Sequence, residues 1–185
     1  MKSTDDLSLC LLEDVDAAAL LDFELQHRAF FEARINARAA SYYRLEAVQA
    51  SLLEAREQRA ADRAHGFVLQ LGAEIVGRIN LTAVERQHFN RAQLGYRIGE
   101  PWQGRGLATR AVAQVLQHAR QTLDLWRIEA VARAGNLGSL RVLERNGFTP
   151  YGHSRQSMCI QGEWHDQILL EWRSGEGPHL RPTQV

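Results

Sequence analysis

Apolar and polar positions change period several times along the chain, and each change marks an expected element. Leu7 to Leu12 is a short apolar run that suits a first strand. Asp14 and Asp16 then offer caps for a helix whose apolar stripe reads Ala18, Leu21 and Leu25, spaced i, i+3, i+7. A second helix is expected around Leu45, Val48, Leu52 and Ala55, with Glu54, Arg56, Glu57 and Arg59 mostly off the stripe. Between the two, Phe30 to Tyr43 is aromatic and basic and has no clean period.

The middle of the chain reads as strands. His65 to Leu71, a turn at Leu71-Gly72-Ala73-Glu74, and Ile75 to Leu81 form an expected hairpin. Ala92 to Ile98 is a further strand, in which Gly95 marks either a bulge or a close backbone approach. A strongly amphipathic helix follows, carrying Leu107, Ala111, Val115, Leu116, Ala119 and Leu123 on its apolar face. Leu125 to Ala132 is the next strand. Asn136 to Asn146 is a short helix closed by Gly147, and Tyr151 to Ile160 and Trp164 to Trp172 pair around Gln161-Gly162. Strands and helices in this order give an α+β fold and not a repeated βαβ series.

Composition narrows the picture. The 185 residues fit one domain, expected over 7–173 with a polar tail at 174–185. With 22 Lys+Arg against 22 Asp+Glu, a generally basic nucleic-acid binder or an acidic disordered chain is disfavoured. The longest apolar run, Ala17 to Leu21, is far short of a membrane span, and the polar, acidic start Met1 to Asp6 does not fit a secretory leader. Cys10 and Cys159 stand far apart without a CxxC, and the seven histidines have no ligand spacing, so neither a disulfide framework nor a metal site is expected. A cytoplasmic protein, monomeric or homodimeric, with no direct nucleic-acid or membrane partner is the expectation.

The strongest local chemistry is Gln103-Gly104-Arg105-Gly106-Leu107-Ala108-Thr109, between a strand and an amphipathic helix. Two glycines allow a tight turn in which successive N–H groups share one concavity, and a helix N-terminus adds the positive end of its dipole. That makes an anion cradle, with Arg105 as a further charge; alternatively, the glycines simply connect strand to helix. A Walker loop needs GK[ST] where Leu107, Ala108 and Thr109 stand, and a dinucleotide fingerprint needs a glycine at Thr109.

Gln103-x-x-Gly106-x-Ala108 resembles the Q/R-x-x-G-x-G/A motif of the GNAT acyltransferase superfamily, and Leu94 to Gly106 looks like its RimJ/RimL branch of N-terminal protein acetyltransferases. Asn136-Leu137-Gly138-Ser139 followed by Asn146-Gly147-Phe148, and Gln161-Gly162-Glu163-Trp164-His165-Asp166, are similar to two further blocks of that branch in the same order.

The resemblance implies a mixed sheet of about seven strands, splayed at the coenzyme A site and flanked by about four helices. It implies acetyl-CoA as donor, a primary amine as acceptor and no metal. The diphosphate would sit on Gln103, Gly104, Arg105, Gly106, Leu107, Ala108 and Thr109. Tyr96, Arg97 and Ile98 would face the pantetheine arm. Asn136 would bond that arm while also suiting the cap of its own helix, and Ser139 would stand near the sulfur as a proton donor.

Family carboxylates are missing where this sequence has Gln93 and Met158, which leaves Glu100, Glu129 and His165 as proton relays, with Glu100 paired to Ser139 as the catalytic candidates. Phe31, Arg34, Arg38, Tyr42, Tyr43 and Gln93 are the expected liners of the acceptor site. The acceptor is a protein N-terminus of the ribosomal-protein type. A small amine, amino acid or antibiotic, or a non-catalytic acyl-CoA-binding module, are the alternatives.

Overall fold

The computed structural model describes residues 7–175. The start Met1–Asp6 and residues 176–185, on which the leader and tail expectations rest, lie outside the described residues. In chain order the elements are β1 (Leu7–Leu11), α1 (Ala17–Gln26), α2 (Arg28–Glu32), α3 (Leu45–Ala60), β2 (His65–Leu71), β3 (Glu74–Glu85) and β4 (Arg91–Ile98). Then come α4 (Leu107–Gln121), β5 (Arg127–Arg133), α5 (Leu137–Arg145), β6 (Thr149–Ile160) and β7 (Glu163–Arg173). The strands form one sheet in the order β1-β2-β3-β4-β5-β7-β6, antiparallel throughout except where β4 meets β5. No described helix is long and apolar enough to cross a membrane.

Successive residues of a strand face opposite sides of its sheet, and both sides are covered here. Val68 of β2 joins Leu12, Leu20, Phe23, Val48 and Leu52 under α1 and α3. Its neighbours Phe67 and Leu69 join Ile79, Leu81, Leu94, Ala111, Val115 and Ile128 under α4. Burial on both faces is why β2 reads as a nearly continuous apolar run instead of an alternating one.

Local chemistry sets the ends of these elements. The Asp16 carboxylate accepts from the Ala19 N–H at 2.8 Å and caps α1. Gly147, with φ 81°, closes α5 in the left-handed region. Gln161 and Gly162 both have positive φ in the β6–β7 turn, as a two-residue hairpin requires. Asp166 secures that hairpin by accepting the Gln156 N–H at 2.9 Å through one carboxylate oxygen and meeting His153 Nε2 through the other.

Four local expectations differ from the structure. The buried face of α1 is Leu20, Phe23 and Glu24, continued by the buried His27 beyond the helix; of the expected stripe, Leu21 packs half-buried against the core, whereas Ala18 is exposed and Leu25 is 47% exposed. A buried acid breaks the apolar stripe, so the true i, i+3, i+4, i+7 face looks half polar. The aperiodic Phe30–Tyr43 segment begins inside the single-turn α2. The irregularity between β3 and β4 falls between Thr82 and Glu85, where Ala83 has φ 49°, and Gly95 instead stays in register opposite Asn80. Helix α4 stops at Gln121, so Leu123 packs on the core from the following loop.

Leu69 has no exposed surface and sits at the centre of the larger core. Leu69→Ala is expected to destabilise the fold by about 2–5 kcal/mol, measured as a lower urea midpoint at unchanged slope.

Candidate active site

The parallel pairing of β4 with β5 covers only Arg91–Leu94 against Arg127–Ala130. From Gly95 to Ile98, β4 keeps its pairing with β3 while β5 turns wholly to β7. The β5-facing edge of four residues is therefore left without a strand partner among the described residues. Gly95 is the first residue past the fork. A Cβ there would lie 3.6 Å from the Asn80 side chain, an ordinary contact, so neither a bulge nor crowding demands glycine at this point.

Just beyond β4, Glu100–Trp102 forms one 3-10 turn, and the Gln103 side-chain amide donates to the Ile98 carbonyl at 2.7 Å. That bond ties the loop to the end of the splayed strand. Gly104 and Gly106 have φ 71° and 74°, so the loop needs glycine for its left-handed backbone. A Cβ on either would meet no protein atom within 4 Å, and both line an open cavity. Gly106 also occupies the cap position of α4 and brings no side-chain acceptor. The first N–H groups of α4 are thus left for an anion.

The cavity has a volume near 420 Å³ and runs from this turn to α2. Across it from β4 stands α5, whose start is capped by Asn136 Oδ1 accepting from the Ser139 N–H at 3.1 Å. Asn146 holds α5 to α4 by donating to the Thr109 and Val142 carbonyls at 3.2 and 2.8 Å. The Tyr96 hydroxyl meets Ser139 Oγ at 2.9 Å across the fork. Burial pushes the Tyr96 phenol above its usual value, with the Ser139 hydrogen bond working the other way, so the hydroxyl keeps its proton at neutral pH.

Of the cofactor-side expectations, Tyr96, Arg97, Ile98, Gln103, Gly104, Gly106, Leu107, Ala108, Thr109, Asn136 and Ser139 all line this cavity. Arg105 does not; its guanidinium lies 4.8 Å from the Trp102 ring centroid. On the acceptor side Phe31 and Arg34 line the cavity, whereas Tyr42, Tyr43 and Gln93 do not. Tyr42 accepts from Arg78, Tyr43 donates to Glu32, and Gln93 lies exposed at the closed end of the fork opposite Glu129.

The relay candidates are equally displaced. Glu100 is exposed on its 3-10 turn, Glu129 is buried and paired with Arg91 and Arg127, and His165 sits on β7 opposite Met158. None of the three lines the cavity. The Met158 sulfur accepts from the Gln167 amide, which suits packing and not proton transfer.

Sequence reasoning missed Arg141 and Arg145, which with Gly138 and Val142 form the i, i+3, i+4, i+7 face that α5 presents to the cavity. That spacing was the available signal, hidden because glycine and arginine do not read as one stripe. With Arg34 they put three guanidiniums on a wall that carries no carboxylate among the described residues, while Arg97, which also borders the cavity, turns its guanidinium to Glu24 on the other face of the sheet. Such a wall fits a polyanion bearing a diphosphate.

Residues 7–149 match the acetyltransferase (GNAT) domain family. The chain belongs to that family. It is similar to a probable N-acetyltransferase of Bacillus subtilis, 34% identical over 161 residues covering 86% of this chain and 89% of the relative. It is also similar to the ribosomal protein uS5-alanine N-acetyltransferase of Escherichia coli, 32% identical over 180 residues covering 94% and 93% of the two chains. In fold it resembles the ribosomal-protein-S5-alanine acetyltransferase of Vibrio fischeri, with a TM-score of 0.87, 24% identity and coverage of 92% and 94%. The Mycobacterium smegmatis RimJ, solved with a CoA disulfide, superposes with a TM-score of 0.80 at 25% identity, covering 91% and 82%. The GNAT chain is an acetyl-CoA-dependent N-acetyltransferase, and the turn, the fork and the arginine wall fit its donor.

Gly106→Val adds a branched side chain in a backbone region costing it about 1–3 kcal/mol, and fills space beside the free amides. Coenzyme A affinity measured by calorimetry is expected to fall at least about tenfold in a variant whose circular dichroism is unchanged.

Proposed function

We propose that this GNAT enzyme acetylates the α-amino group of a protein N-terminus of the ribosomal-protein type. The observation that carries the reading is the Tyr96–Ser139 hydroxyl pair on a cavity wall without a carboxylate among the described residues. The uS5-alanine N-acetyltransferase relative supports the acceptor class.

Acetyl-CoA supplies an activated acetyl thioester; everything else falls to the chain. Amides of the glycine turn and of the α4 start hold the diphosphate, with Arg141 and Arg145 adding charge. The free β4 edge aligns the arm by backbone hydrogen bonds, as an added strand would. Tyr96, kept protonated and oriented by Ser139, donates a proton to the departing thiolate. Ser139 positions that phenol.

Deprotonating the amine is the remaining task, and among the described residues no wall carboxylate does it. At pH 7 an α-amine with pKa near 7.7–8.0 costs about 1 kcal/mol to free, against about 4.6 kcal/mol for a lysine amine at 10.4. Water can accept the α-amine proton at that cost, whereas a lysine would need a base. The missing acid therefore favours N-termini over lysine side chains.

Tyr96→Phe is expected to lower kcat by about 10²–10⁴-fold with coenzyme A affinity nearly kept, and Ser139→Ala to lower it less. Equal rates in both variants would remove the pair from the chemistry. The pH profile of kcat/KM should rise through the α-amine pKa near 8. It should hold to above pH 10, because burial raises Tyr96 and delays loss of its proton. The acceptor is tested with acetyl-CoA and peptides differing in first residue beside a panel of lysine-blocked peptides, polyamines and aminoglycosides. Turnover confined to lysine or polyamine amines would overturn the proposal.

A further inference from the structure

Successive β4 residues Tyr96 and Arg97 point to opposite faces of the sheet: Tyr96 to Ser139 on α5, Arg97 to Glu24 on α1. Glu24 is a buried acid with 1% of its side chain exposed, and three arginines converge on it. Arg78 donates to its Oε1 at 2.7 Å, Arg97 donates to the same oxygen, and Arg38 approaches that atom at 4.0 Å. Three formal positive charges thus face one negative charge. Their side chains are 34%, 14% and 13% exposed at Arg38, Arg78 and Arg97 respectively. Buried charge of this kind is costly without a counter-ion.

Among the described residues, the other partners of these arginines do not restore the balance. Tyr42 accepts from Arg78 at 3.2 Å and lies under Arg38, and Phe31 lies under Arg97, all of them neutral partners. Burial, with Arg78 and Arg38 alongside, brings the Arg97 guanidinium down to about 10 despite Glu24. The buried Nε of Arg38 has no hydrogen-bond partner among the described residues. The excess charge is also reachable. Arg97 lines the main cavity, while Arg38 and Arg78 line a second one, near 220 Å³, with Ser51, Asn80 and Thr82. Glu54, on the α3 side, is the one carboxylate lining either cavity among the described residues.

We infer that Arg97, Arg78 and Arg38 form an anion subsite that takes a carboxylate of the acceptor, across the sheet from the glycine turn that holds the donor's phosphates. The inference rests on the proposed acetylation of an N-terminal amine and names which amines are preferred. Guanidinium forks match a planar carboxylate in two parallel hydrogen bonds, and the lone Glu24 oxygen leaves most of their donors unused. The carboxylate comes either from an acidic side chain near the start of a peptide or from the free α-carboxylate of an amino acid.

Both sources are tested on the full chain with acetyl-CoA. One arm compares alanine-initiated peptides carrying Glu or Gln at the second, third or fourth position; the other compares alanine with alaninamide. The acid of a pair is expected to exceed its amide in kcat/KM by about tenfold at low salt, and by less at 0.5 M NaCl. In Arg38→Gln, the most exposed of the three, the acid-to-amide ratio is expected to fall toward one, by about three-fold or more. Acid and amide turned over equally at every position and in both arms would overturn the subsite. If no arm turns over, calorimetry of the coenzyme A-loaded protein with the same ligands decides: acid-selective binding supports the subsite, and equal or absent binding overturns it. Free alanine preferred over every peptide would instead overturn the N-terminal-protein reading and leave the subsite standing.

Discussion

The organising constraint is the early parting of two parallel strands. β4 and β5 hold each other over four residue pairs and then separate, β5 staying with β7 and β4 with β3. Backbone polar groups seldom stay unpartnered inside a protein, so a parted pair of central strands is stable only where solvent or a ligand completes it. The fork thus creates a slot with hydrogen-bonding capacity along its β4 edge. Everything chemical is arranged around that slot: the glycine turn at its mouth, Ser139 across it, and α2 at its far end.

Both sides of the sheet contribute, because alternation along β4 sends Tyr96 and Arg97 to opposite faces. The α4–α5 face carries a hydroxyl pair and a capped helix start, a setting for donating a proton. The α1–α3 face carries concentrated positive charge around Glu24. A reaction in which a donor with a large anionic tail meets an amine suits this division.

The sequence discloses the donor side far better than the acceptor side. Gly104 and Gly106 before an amphipathic helix, Asn136 three residues before Ser139, and Gln161-Gly162 in a hairpin are short-range patterns whose physics is local. Each appears in the structure with the expected backbone: left-handed glycines, a side-chain cap, a turn of positive φ. The Glu24 cluster was not readable in this way. Its partners Arg78 and Arg97 lie 54 and 73 residues along the chain from Glu24. A glutamate in a helix ordinarily signals a solvated position, and here that expectation rotated the assigned face of α1. Glu100, Tyr42, Tyr43 and Gln93 stand off the cavity wall for a related reason. Proximity in sequence to the turn or to the acceptor segment says little about which way a side chain points once 3-10 turns and strand alternation intervene.

Helix α4 begins at a residue with no side chain, and its first turn contains no acidic group. An isolated helix with such an opening would fray there. An anion bound at these amides would consequently be a structural element: on docking it would give the helix the terminal acceptor that its own sequence omits. By mass action, any ligand confined to the folded state raises that state's stability by RT ln(1 + [L]/Kd). Heat resistance of the protein accordingly tracks the surrounding concentration of acetyl-CoA, coupling its persistence to the abundance of the metabolite it consumes.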